Sequence, residues 1–269
     1  MEVTLNRPKL SELLNIKCIE HKINETKNHY GRFKIGPLNI GQGITVGNSL
    51  RRTLLSDITG IAITNARITV DKNLANSEGL TPTNNSTTIS DTNFHEFSSI
   101  SGVRESVLEI LLNLKNIVLS DDNADFKDIQ RGFINVKGPY RVTANDLVLP
   151  DTINVVDSNQ YIATIISEQT FSMEVSIKQG RGITEISTQV DLQQTDEADL
   201  LTIDATYIPV KKVNYIVEEE AIGNDNSSLK EIVILEVWTN GSIEPQAAVS
   251  SAIETLADLY RSLQSAIII

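Results

Sequence analysis

The chain has 269 residues, with 23 basic and 35 acidic side chains and a formal net charge of −12. At roughly 100–200 residues per domain, that length predicts about two domains. The 40% hydrophobic and 22% charged fractions exclude a collagen, a disordered tail or a disulfide scaffold. The charge balance argues against the chain holding nucleic acid by itself, because phosphate binding works by presenting Lys and Arg.

The single cysteine, Cys18, has no partner for an internal disulfide, which fits a reducing compartment, and it reads as a small core residue. The amino terminus, Met1-Glu2-Val3-Thr4-Leu5, lacks the basic-then-apolar order of a signal peptide. No apolar stretch approaches the ~20 residues of a membrane span, so no membrane association is expected.

In chain order, Arg32–Leu38 alternates and predicts a strand. Gly41 and Gly43 then mark a tight strand-to-helix turn, and a helix is expected from Thr45, its N-cap, to about Ser56. Val46, Leu50 and Leu54 share one face of that helix. A strand follows at Ala62–Val70. Residues 71–92 are rich in Asn, Ser and Thr and read as a mobile surface insertion. Ser101–Lys115 has the spacing of a second amphipathic helix, with Glu105 in its first turn.

Residues 117–178 read as β. Phe171, Met173, Val175 and Ile177 alternate with polar neighbours, as in a strand with one wet face. Strands are also expected at Leu201–Tyr207, Val213–Glu218 and Glu231–Thr239, the last buried on both sides. Pro245 opens a long terminal helix. There Val249, Ile253, Leu256, Tyr260, Leu263 and Ile267 recur at steps of 4 and 3, a heptad seam of about five turns. Such a seam can lie on its own sheet or dock on the same helix of a second copy, and the two arrangements are compatible.

No serine elbow, His-Glu-x-x-His or Cys-x-x-Cys occurs, and the histidines at 21, 29 and 95 have no ligand spacing. The run Asp121–Asp125 starts like a calcium loop but lacks its glycine and bidentate glutamate, so it reads as a solvated acidic turn. Gly41–Gly47 could cradle a phosphate only in an irregular way, since no Lys-Ser/Thr follows. Arg51-Arg52, beside an apolar stripe, forms either a solvated face or a multi-donor anchor for a partner protein.

Four ordered stretches carry a resemblance: Gly31-Arg32-Phe33 with Gly41 through Leu55, His95–Ser98 with Gly102–Lys115, Gly180-Arg181-Gly182, and Trp238–Pro245. Together they resemble the alpha subunit of bacterial-type RNA polymerase. Val136-Lys137-Gly138-Pro139 and Glu236–Ser242 look most like its plastid-encoded branch, whose location is the plastid stroma; a bacterial cytoplasm is the other setting. The resemblance implies an α+β chain in which residues 1–59 and 179–269 form a discontinuous dimerisation domain. A β-rich domain, 60–178, is inserted between its halves.

The resemblance further implies a homodimer that serves as the assembly platform for the beta and beta-prime subunits. The dimer interface would use Val46, Leu50, Leu54, Val249, Ile253, Leu256, Tyr260 and Leu263. Arg52 matches the arginine that contacts beta, with Leu55 beside it, while Lys178 and Arg181 would face the large subunits. The chain would be part of a nucleotidyltransferase complex whose active site, with its magnesium-binding aspartates, lies in beta-prime. It would therefore carry no catalytic residue, metal or cofactor and meet DNA only indirectly through the complex. Three features depart from the family pattern: Thr53 after the arginine pair, the 71–92 insertion, and an end after the long helix without the linker and small DNA-binding domain. Two other readings remain at this point. One is a free-standing homodimeric enzyme that binds phosphate at Gly41–Gly47; the other is a platform subunit of the archaeal or eukaryotic polymerase.

Overall fold

The computed structural model describes residues 14–24, 27–73, 88–91, 94–121, 128–184, 200–221 and 229–267. The chain is α+β, as its patterning predicts, and divides into two compact units, 1–58 with 208–269 and 59–207. The second boundary falls between Tyr207 and Ile208 rather than after Lys178. Strand pairing is the reason: β10 (Gln169–Arg181) and β12 (Leu201–Thr202) both pair with β3 (Thr59–Asn73), which holds them in the second unit.

The first unit is built on an antiparallel sheet in the order β1 (Asn15–Ile23), β2 (His29–Leu38), β15 (Leu229–Thr239), β14 (Val210–Ala221). Register places Ile35 opposite Val233 and Phe33 opposite Leu235. These residues and Val237 form one buried face, on which α1 (Gln42–Ser56) and α3 (Pro245–Ile267) lay Leu50, Leu54, Ala248, Val249 and Ala252. The apolar run in β15 is buried on both sides as expected, with Ile232 and Ile234 covered as well as Val233 and Leu235.

Edge strand β1 pairs only with β2 and almost all of it is exposed, Cys18 included. The expectation that Cys18 is a core residue is therefore corrected. The expected strand at Val213–Glu218 lengthens to fill β14, because its whole length finds partners on β15.

In the second unit the central sheet runs β12-β3-β10-β6, with β6 at Gln130–Lys137 and β4 (Thr88–Asp91) paired to the end of β3. Phe171, Met173, Val175 and Ile177 are all buried, as their alternation predicts, and α2 (Val107–Lys115) adds Val107, Ile110, Leu111 and Leu114 to the same core. Of the 71–92 stretch, both ends join the sheet as β3 and β4; 74–87 lies outside the described residues, as does 122–127 with most of the acidic run. The stretch expected as one strand over Leu201–Tyr207 is two short ones, β12 and β13 (Ala205–Thr206), which pair with different strands.

Both helix starts predicted for α1 and α2 are corrected. Helix α2 begins at Val107, not Ser101, because Ser106 caps it in a reciprocal box with Glu109. Glu105 thus lies outside the helix, and its carboxylate accepts from the Thr164 N–H at 2.7 Å and from the Tyr161 hydroxyl. Helix α1 begins at Gln42, not Thr45. Gly41 is its N-cap, with φ 86°, a left-handed conformation that glycine adopts without a Cβ clash.

Candidate assembly interface

Helix α1 has no side-chain cap of its own. Its amino-terminal N–H groups are met from strand β15: the carboxylate of Glu231 accepts from Gly41 at 2.8 Å and from Gly43 at 2.6 Å. A negative group at the positive end of the helix is favourable electrostatically as well as by hydrogen bonding. Glu231 is only 6% exposed, and its bond to Gly43 is buried while that to Gly41 is partly open to water. The phosphate-cradle reading of Gly41–Gly47 is not favoured, since the Gly41 and Gly43 donors are already taken by a carboxylate of the chain itself.

Gly43 and Gly47 are not turn residues either. They lie inside α1, one turn apart, where the helix presses on β14. A Cβ at Gly47 would stand 2.5 Å from the Tyr215 ring. This close approach carries Leu50 and Leu54 into the core and fixes the rotation of the helix. Ile44, Thr45, Asn48, Arg51 and Arg52 are left on the exposed side. Neither guanidinium of the pair forms an ion pair with a described residue. Leu55 is half-buried against the unit's own core, as is Val46, while Thr53 is buried at 3% exposure.

Helix α3 changes character along its length. Ala248, Val249 and Ala252 are buried, and Ile253 and Leu256 are packed at the core margin. From Asp258 to Ala266 every residue is exposed, including Leu259 at 52%, Tyr260 at 57% and Leu263 at 53%. The stretch from Asp258 to Ala266 is thus not packed on its own unit. Leu259 is an exposed apolar residue that the heptad count missed. The wider apolar face of an amphipathic helix, with residues at i, i+3, i+4 and i+7, includes it with Leu256, Tyr260 and Leu263.

On the sheet face opposite the helices, Tyr30 and Trp238 pair with ring centroids 5.0 Å apart, and Lys212 Nζ lies 4.8 Å from the Trp238 ring centre. The Tyr30 hydroxyl donates to Glu236 at 2.9 Å. Burial and that hydrogen bond push its pKa up to about 12. Lys178 and Arg181 lie near the end of β10 in the second unit, one half-buried and one exposed; being three apart on a strand, they point to opposite faces. Among the described residues no group of three or more His, Cys, Asp or Glu is arranged to hold a metal, and no helix is long and apolar enough to cross a membrane.

The fold is that of a two-unit protein in which a β-rich unit is inserted in the sequence of a discontinuous α+β unit, with an exposed arginine pair on a clamped helix. Consistent with that class, the profile of the RNA polymerase Rpb3/RpoA insert domain matches residues 87–208, ending one residue past the end of the second compact unit. Proteins named DNA-directed RNA polymerase subunit alpha are similar over most of the chain. That of Chlorokybus atmophyticus is 45% identical across 93% of this chain and 69% of its own length. That of Cyanophora paradoxa is 44% identical across 91% and 68%, and that of Pyropia yezoensis 44% across 93% and 71%. The chain belongs to the family of alpha subunits of DNA-directed RNA polymerase and acts within that enzyme complex. Neither a free-standing enzyme nor an archaeal or eukaryotic platform subunit is favoured by these relationships.

Proposed function

We propose that two copies of this chain associate through α1 and α3, and that the pair is the platform on which the beta and beta-prime subunits assemble. One copy engages beta through Arg52, with Leu55 at the margin, and Lys178 and Arg181 face the large subunits. The observation that carries this reading is the uncovered end of α3, where Leu259, Tyr260 and Leu263 stand in water. An apolar row of that kind marks a protein contact more often than a free surface. Beside α3 in the same unit lies a groove of about 220 Å³ of mixed character, lined by Ile16, Cys18, Phe33, Val249 and Ile253 with the polar Gln246 and Ser250.

The exposed and unpaired Arg51 and Arg52 suit the anchor role, because a guanidinium presents several donors in a rigid fork. DNA is reached only through the complex. The algal relatives support the plastid as the compartment, and we place the working complex in its stroma. Two measurements test the proposal together. Light scattering of the purified chain at micromolar concentration is expected to return the dimer mass. Affinity capture is expected to retain beta with the native chain and to lose it, by about 2 kcal/mol or more, with Arg52→Ala. A monomer in the first measurement, or undiminished capture in the second, overturns it.

A further inference from the structure

In the second unit, Arg104, Glu105, Glu109, Arg141, Tyr161 and Thr164 line a cavity of about 450 Å³. We propose that this cavity is a receptor for an acidic side chain, aspartate or glutamate, presented by another protein.

The two carboxylates in the wall are already committed. Glu105 accepts from Thr164 and Tyr161, and Glu109 accepts from the Ser106 N–H at 2.8 Å and the Ser106 hydroxyl at 3.0 Å. Neither Arg104 nor Arg141 forms an ion pair with a described residue, although the charge of Arg104 is felt by the Glu109 carboxyl, whose pKa it helps to lower after the Ser106 hydrogen bonds. Arg141 lies over the Tyr161 ring, its guanidinium carbon 5.2 Å from the centroid. Stacking on an aromatic face holds a guanidinium by its plane and leaves its in-plane N–H groups free to donate. Tyr161 is in turn held by Glu105 and by Thr164, 2.5 Å from its hydroxyl. The platform under Arg141 is thus fixed before any ligand arrives, which lowers the cost of ordering the site.

A guanidinium held against a ring, as Arg141 is, with a second one, Arg104, in the same wall, selects a planar, charged acceptor, and a carboxylate meets it as a two-bond fork. The wall also carries two negative charges, in a chain of net charge −12. That disfavours a polyanion such as nucleic acid, whose neighbouring phosphates would meet Glu105 and Glu109, but admits a single carboxylate. The cavity is large enough for a side chain with its flanking backbone. The inference does not depend on the dimer, since every residue of the cavity lies in the second unit.

The test uses the full-length chain and an acetylated, amidated (Asp-Glu)₃ peptide carrying a fluorophore. Anisotropy is expected to show saturable binding at millimolar peptide or below, with the side-chain Nε–H NMR signals of Arg104 and Arg141 moving on titration. Arg104→Gln combined with Arg141→Gln is expected to weaken binding at least tenfold, whereas Arg131→Gln, which alters the surface pair with Glu174, leaves it unchanged. Should the double variant melt early, Arg141→Lys keeps the charge while removing the stacked fork, and a several-fold loss is still expected. Absence of binding, equal binding by these variants, stronger arginine-dependent binding of an oligo(dT) strand, or equal occupancy by inorganic sulfate each overturns the proposal.

Discussion

Glu231 shows how much one side chain can organise. It is a carboxylate within an otherwise apolar strand segment, and burying a charge is costly unless its hydrogen bonds are made. The N–H groups of Gly41 and Gly43 make them, and in return the helix acquires a cap that its own sequence lacks. Glu231→Ala leaves the Gly43 donor unsatisfied in a buried position and removes the partner of Gly41. We expect a loss of about 2–3 kcal/mol of stability, read from the urea midpoint. Glu231→Gln keeps one acceptor and is expected to lose less. Tyr30 gives a pH signature of its own. Its pKa is raised from the ordinary 10.0 to about 12, so the folded state holds the phenol proton more tightly than the unfolded chain does. The corresponding stability is fully present below pH 10 and is lost as pH rises towards 12. Melting curves of Tyr30→Phe are therefore expected to fall less steeply across that window than those of the native chain.

Among the elements, α3 separates folding from association. Its first half packs on the sheet through Ala248, Val249 and Ala252, while its second half contributes nothing to its own unit's core. A carboxylate introduced at Tyr260 is solvated in a single copy but becomes buried and unpaired if a second copy covers it. Tyr260→Asp is expected to give the monomer mass by light scattering with an unaltered circular dichroism spectrum. Loss of the spectrum, or a persistent dimer, would count against the division of labour between the two halves. Helix α1 shows the converse arrangement. Leu50, Leu54 and the two internal glycines are used up inside the unit, so what α1 offers outward is Ile44 together with the polar Thr45, Asn48, Arg51 and Arg52.

At the scale of the whole molecule, the chain leaves its first unit after Ile58 and returns to it at Ile208. A unit closed by its own sheet between those points can carry separate surfaces. The arginine face of α1 and the open end of α3 belong to the discontinuous unit, and the Arg104–Arg141 cavity belongs to the inserted one. If assembly and the acidic-ligand site are independent, Arg52→Ala and the paired Arg104 and Arg141 substitutions should each impair its own readout and leave the other intact.

Much of this was determined by the sequence alone. Periodicity is local, and it identified the buried faces of β10, β15 and α2, the start of α3 at Pro245 and the exposed arginine pair. The ordered motifs, from Gly31-Arg32-Phe33 to Trp238–Pro245, were enough to indicate the family. Tertiary structure decided what local pattern does not encode. The cap of α1 comes from a residue 190 positions away, which no window around Gly41 contains. Glu105 was drawn out of a helix turn by Thr164 and Tyr161. Cys18 is exposed on an edge strand that pairs only with β2, and the inserted unit runs on to Tyr207 because β12 returns to pair with β3. In each case the deciding contact joins residues far apart in the chain, and only the folded arrangement brings them within hydrogen-bonding or packing distance.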